Sequence, residues 1–169
     1  MKAGLKKWLP LGLFMAAVVA ADQITKSLVR GSIPYGAAPA ERPLLPGVLG
    51  LTWAENDGAA WSMLAGMRWL FLLLVLLFFG AVALLIRKGL VSKPAELWAL
   101  AAIGGGALGN AVDRALRGTV TDMLGTLFMD FPIFNVADCF ITCGAIVLVV
   151  YMLFFDREKE RDSHEHSSN

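Results

Sequence analysis

The stretch Trp69–Ile86, WLFLLLVLLFFGAVALLI, runs for 18 residues without a single charged side chain. About 20 such residues in a helix cross the hydrocarbon core of a bilayer. Inside that core each backbone N–H and C=O has to be satisfied within the protein, so the run reads as a helix. The chain has 169 residues, 57% of them hydrophobic and only 17% charged. That balance is too apolar for an ordinary soluble domain of this size.

Three further apolar runs flank it. One extends from Trp8 to about Val29 and is interrupted by Asp22 and Lys26. Another extends from about Ala95 to Arg114 and is rich in glycine. The last extends from Val136 to Phe155, with Asp138 just inside it. These three cross a membrane only if they carry polar groups with them. The expectation is an all-α membrane protein, one integral membrane domain over residues 1–169. It would have four transmembrane helices (about 8–29, 69–86, 95–114 and 136–155), an outer lobe at about 31–67 and a cytoplasmic tail at 156–169.

Basic residues orient the helices. Lys2, Lys6, Lys7, Arg87, Lys88, Lys93, Arg157, Lys159 and Arg161 are nine of the 15 lysines and arginines, and all fall on one side. Positively charged loops stay cytoplasmic, so both termini and the loop RKGLVSKP are expected inside. Trp8, Trp69 and Trp98 fall at span ends, where aromatic residues prefer the interface. The N-terminus also has the layout of a cleavable secretory signal, with a basic start, an apolar stretch and a small-residue VVA site. The continuation through ITKSLV favours a complete helix instead. There is no basic cluster of the kind nucleic acid needs. The tail DREKERDSHEHSSN reads as a solvated end, its His164 and His166 included.

With this orientation the costly polar residues share one leaflet. Asp22 and Lys26 end the first span, and Asn110, Asp113 and Arg114 end the third. Asn135 and Asp138 begin the fourth. The outer loops add Asn56 and Gly58, in ENDGAAWS, and Asp122. Ionisable groups at membrane depth mark functional sites more often than not. Each also has a structural explanation. Asp22 and Lys26 are an i,i+4 pair. Asp113 and Arg114 suit a helix end at the interface. Gly105 and Gly109 are spaced for close helix packing, and NDG is a good turn. Cys139 and Cys143 read as small packing residues. Asn135 and Asp138 match a capping box, which alone would account for a carboxylate at the head of an apolar helix.

Asp122 is harder to explain by structure alone. It sits in GTVTDMLG beside Val120, Met123 and Leu124, apolar company for a loop aspartate. If that segment folds back onto the head of the last helix, Asp122 meets Asp138. Two carboxylates in one desolvated site cannot both ionise easily, and together they can act as base and acid on a water molecule. No serine–histidine pair competes, because both histidines are in the tail, and no metal cluster is apparent.

Five blocks then carry a resemblance: DQITK at 22–26, NDGAAWS at 56–62, GGALGNAVDR at 105–114, GTVTDM at 118–123 and FNVADCFITCG at 134–144. In this order they resemble the lipoprotein signal peptidases, the bacterial type II signal peptidases. The one departure is Met123, where that family more often has Phe, which keeps an apolar wall. Thr121 falls where the family varies and reads as tolerated. The resemblance implies a monomeric four-helix aspartic endopeptidase of the bacterial cytoplasmic (inner) membrane, with a small β-rich outer lobe from the first loop. Its active site would lie at the outer leaflet, and it would need no cofactor or metal. Its partners would be membrane lipids and a diacylglyceryl-modified prolipoprotein, cut on the amino side of the lipidated cysteine. The catalytic pair would be Asp122 and Asp138. Asp22, Lys26, Asn56, Gly58, Asn110, Asp113, Arg114 and Asn135 would support it or bind substrate.

Two other classes fit four helices with intramembrane carboxylates. A proton-coupled transporter needs its ionisable group near the midplane, whereas here the carboxylates gather at one end. A scaffold has no use for a shared leaflet. The residues 47–56, GVLGLTWAEN, alternate weakly as a strand, and AAWSMLAG reads as a short interfacial helix.

Overall fold

A computed structural model describes residues 2–59, 61 and 63–155. The described residues form four α-helices: α1 (Lys2–Ser32), α2 (Arg68–Arg87), α3 (Pro94–Arg117) and α4 (Val136–Phe154). Three strands accompany them: β1 (Pro43–Leu45), β2 (Leu49–Asn56) and β3 (Val120–Thr126). The tail with His164 and His166 lies outside the described residues.

Three consecutive glycines explain why α3 is central. Successive helical residues are turned by about 100°, so Gly104, Gly105 and Gly106 face different neighbours. A methyl group on Gly104 would meet Phe79 of α2 at 3.1 Å, and one on Gly105 would meet Val18 of α1 at 3.0 Å. One on Gly106 would collide with the Ala137 carbonyl of α4. Small residues let helix backbones approach closely where no hydrophobic effect drives them together. The pairing expected for Gly105 and Gly109 is therefore one part of a wider arrangement. Pro94 opens α3, whose first turn is closed by the buried Glu96 carboxylate accepting the Ser92 and Lys93 N–H groups, both at 3.0 Å. Gly118 ends it at φ 88°, a conformation that glycine adopts without strain.

By length and hydropathy α1 from Trp8, α2 and α4 can each cross a bilayer, and α3 is not in that set. α2 has no buried residue, as a lipid-facing helix should. The polar groups of α3 are instead covered by its neighbours: Glu96, Asn110, Asp113 and Arg114 are all buried.

The small sheet differs in its make-up from the lobe expected of the first loop. It is antiparallel with the order β1-β2-β3, so one of its three strands comes from the segment between α3 and α4 rather than from the loop between α1 and α2. Val120 to Met123 are all buried, on both faces of the strand. A strand covered on both sides shows no alternation to read. The expected interfacial helix in AAWSMLAG is replaced, among the described residues, by a tight turn. Ala59 N–H donates to the Met63 carbonyl at 2.7 Å, and Trp61 and Leu64 take φ values of 54° and 58°. Left-handed backbone at those two positions is incompatible with a right-handed helix.

Candidate active site

The head of α4 is built by its own first residues. Asn135 is the N-cap: its side-chain oxygen accepts the Asp138 N–H at 3.0 Å. Asp138 returns the interaction, Oδ2 accepting the Asn135 N–H at 3.1 Å. The capping box suggested by the sequence is thus complete. It leaves the Asn135 side-chain amide N–H free to turn elsewhere. That group donates to Asp122 Oδ1 at 2.6 Å and to Asn110 Oδ1 at 3.1 Å. Cap and carboxylate pair are one arrangement, not alternatives.

β3 delivers Asp122 to this point. Its strand is bracketed on the far side by Phe134, whose carbonyl accepts the Met123 and Leu124 N–H groups at 3.0 and 2.8 Å. Asn56, at the end of β2, donates to Asp122 Oδ2 at 3.0 Å. Both Asp122 oxygens therefore have amide donors. Burial nevertheless dominates, and with Asp138 nearby it pushes the Asp122 carboxyl up to about 6, against the donors from Asn56 and Asn135.

A buried ionic group stands behind the pair. Lys26 is fully buried, and its ammonium meets three acceptors: Asp22 Oδ2 at 2.8 Å, Asn110 Oδ1 at 2.8 Å and Asp113 Oδ2 at 3.1 Å. An ammonium has three donors, so it is satisfied. With Asn110 Oδ1 occupied by Lys26 and Asn135, the Asn110 amide N–H faces Asp138 and donates to Oδ1 at 2.8 Å. Asp22 Oδ1 accepts the Ala137 N–H at 3.0 Å, so α1 helps to cap α4. Gln23 bridges Asp22 and the Gly109 carbonyl.

Asp113 and Arg114 do not pair with each other. Asp113 faces Lys26 and accepts the Thr121 N–H at 3.1 Å. Arg114 points into the cavity, donates to the Gly58 carbonyl at 2.6 Å and stacks 4.2 Å from the Phe71 ring centre. Gly58 is held in its turn by the Asn56 side-chain oxygen, which accepts its N–H at 2.9 Å. Asp122 and Asp138 both line a cavity of about 570 Å³, with Asn56, Gly58, Asn110 and Arg114. Its other walls are apolar except for Thr142, with Trp61 and Phe131 meeting edge to face at 6.4 Å. Cys139 and Cys143 line this cavity too, rather than serving only as packing between helices. Every site residue expected from the sequence is in this cluster or directly behind it. Glu55, Arg30 and Thr121 adjoin it as well: Arg30 was not singled out in the sequence, Glu55 entered only as part of ENDGAAWS, and Thr121, read as a tolerated position, is fully buried. The β2–β3 register sets Glu55 opposite Thr121, and Arg30 of α1 donates to the Thr121 hydroxyl at 2.8 Å.

A bundle with membrane-length helices that brings a buried Asp122 and a half-buried Asp138 to one cavity defines a helical membrane enzyme with a carboxylate pair. The chain belongs to the signal peptidase II family, whose model matches residues 14–154. It is 37% identical over 148 residues to the lipoprotein signal peptidase of Latilactobacillus sakei subsp. sakei, covering 88% of this chain and 93% of that one. It is 41% identical over 152 residues to that of Lactococcus lactis subsp. cremoris, covering 88% and 96%. Among solved structures, a bacterial membrane enzyme determined in meso at 2.3 Å superposes with a TM-score of 0.78 at 32% identity, covering 85% of this chain and 87% of that one. A second, at 1.9 Å, gives 0.76 at 31% identity, covering 86% and 94%.

Proposed function

We propose that this protein is an aspartic endopeptidase that removes the signal peptide from diacylglyceryl-modified prolipoproteins, cutting on the amino side of the lipidated cysteine. The observation that carries this reading is the Asn135 side chain, which ties Asp122 and Asp138 into one site on one cavity. In the proposed reaction the pair holds one proton. The pair shares it, and burial raises the Asp122 carboxyl toward the protonated form. Asp138 takes a proton from water as the water oxygen bonds to the scissile carbonyl carbon. Asp122 gives its proton to the leaving amine as the C–N bond breaks, and the pair ends with one proton as it began. Asn110 and Asn135 orient the carboxylates. Arg114 and Gly58, on the cavity wall, suit substrate backbone.

Depth supports the same reading. A lipid-anchored substrate presents its cleavage site at the membrane surface, and the pair lies where the heads of α4 and β3 meet. The proposed topology has four crossings, both termini in the cytoplasm and the sheet outside a bacterial inner membrane, with the enzyme acting as a monomer among lipids. α3 is the fourth crossing: 24 residues at about 1.5 Å each give roughly 36 Å, enough to span.

The test is reconstitution with a diacylglyceryl-modified precursor, following signal-peptide release by gel shift. Cleavage by wild type, abolished in folded Asp122→Asn and Asp138→Asn, is the expected result. Cleavage that survives in either folded variant removes the aspartic pair.

A further inference from the structure

Thr121 stands one residue before Asp122 and is fully buried. Side chains alternate along a strand, so Thr121 faces away from the cavity that Asp122 lines. Its three nearest polar partners come from three different elements. The Thr121 N–H donates to Asp113 Oδ2 of α3 at 3.1 Å. Its hydroxyl accepts from Arg30 of α1 at 2.8 Å and donates to Glu55 of β2 at 3.2 Å. A hydroxyl can accept from a cation and donate to an anion at once, and no apolar side chain of the same shape can. Glu55 is fixed in its own right, accepting from the Trp53 indole at 2.8 Å and the Thr119 hydroxyl at 2.6 Å.

We propose that Thr121, clamped between Glu55 and Arg30, is a positioning residue that sets where Asp122 stands relative to Asp138. The inference rests on the peptidase reading above. The clamp holds β3 immediately before Asp122, and the Phe134 carbonyl holds it immediately after, through the Met123 N–H. Asp122 is thereby fixed from both sides against α4. Without the hydroxyl, the back of the strand keeps its Asp113 bond but loses the bridge that ties α1 to β2. Displacement of a reacting group by about 1 Å costs on the order of 100-fold in rate. The clamp does not touch the cavity, so its loss acts on turnover rather than on substrate affinity.

The experiment measures kcat, KM and thermal unfolding for the full-length reconstituted protein with a lipid-modified precursor. Variants are Thr121→Val, Thr121→Ser, Glu55→Gln and the control Asp122→Asn. Thr121→Val is expected to lower kcat about tenfold or more per folded molecule with KM within about twofold, and Thr121→Ser to restore most of it. Glu55→Gln is expected to fall between. A Thr121→Val kcat within about twofold of wild type overturns the proposal. So does a Thr121→Ser loss equal to that of Thr121→Val, which would make shape the cause. If Thr121→Val does not fold, Glu55→Gln decides alone: a wild-type kcat overturns the clamp. An active, folded Asp122→Asn removes the aspartic-pair reading and the clamp with it. An inactive Asp122→Asn beside a fully active Thr121→Val removes the clamp only.

Discussion

The Asn135 side-chain amide donates to Asp122 Oδ1 at 2.6 Å while its oxygen caps α4 through the Asp138 N–H at 3.0 Å. One side chain thus starts a helix and joins the two carboxylates. The two roles can be separated. Serine caps a helix nearly as well as asparagine but has no amide to reach Asp122. Asn135→Ser should keep unfolding stability within about 1 kcal/mol of wild type. Its turnover should drop by about 100-fold, as for a misplaced catalytic group. Equal activity in the serine variant, measured by precursor cleavage, would reduce Asn135 to a cap.

Asp122 also predicts a pH dependence with a definite sign. Its carboxyl is raised from 3.8 to about 6 by burial. A raised carboxyl favours the folded state while neutral. Its contribution is complete below about pH 3.8 and lost as pH rises through about 6. A shift of this size corresponds to about 3 kcal/mol, to order of magnitude. Asp122→Asn should therefore unfold at a higher temperature than wild type at pH 8, with the difference shrinking toward pH 4. In wild type, kcat/KM should decline with rising pH above about 6, as the proton on the pair is lost. A flat profile from pH 5 to 8 would place the shared proton elsewhere.

Local patterns were legible in the sequence and long-range pairings were not. The apolar runs, the capping box and the gathering of polar residues at one end of the helices follow from spacing along the chain. The partnership of Lys26 with Asn110 spans 84 residues, and that of Thr121 with Glu55 spans 66, so neither leaves a periodic trace. β3 was invisible as a strand because burial on both faces removes the alternation that marks a half-exposed one. The polar end of α3 is tolerated because α1, β3 and α4 supply partners, a fact of tertiary packing alone.

Gly109 tests how tightly α1, α3 and α4 are bound at that end. A methyl group there would lie 2.6 Å from Asp22 Oδ2 and 3.4 Å from the Ala137 side chain. Asp22 cannot retreat without leaving Lys26 and the Ala137 N–H. Gly109→Ala should cost about 1–3 kcal/mol, the usual range for overpacking, and lower activity together with stability. Gly80, with open space around its position on α2, is the control: Gly80→Ala should leave both unchanged or slightly raise stability. Equal behaviour of the two variants in thermal unfolding would show that α1 and α3 can separate freely.

Lys26 carries the final prediction, because charge balance and amide orientation make different demands on it. Removing one member of a buried ion pair costs about 3–5 kcal/mol, since the partner charge is left uncompensated. Lys26→Met should therefore be strongly destabilised, with Asp22 and Asp113 both deprived of the ammonium. Adding Asp22→Asn removes one of those charges and leaves Asp113 facing Arg30, at 4.0 Å. The double variant should recover much of the lost stability. It should not recover activity. Asn110 Oδ1 would keep only the donor from Asn135, so its amide would be free to turn and present oxygen to Asp138. Stability and cleavage measured side by side separate the demands. Recovery of both would make Lys26 a counter-ion and nothing more, whereas recovery of stability alone assigns it the orientation of Asn110.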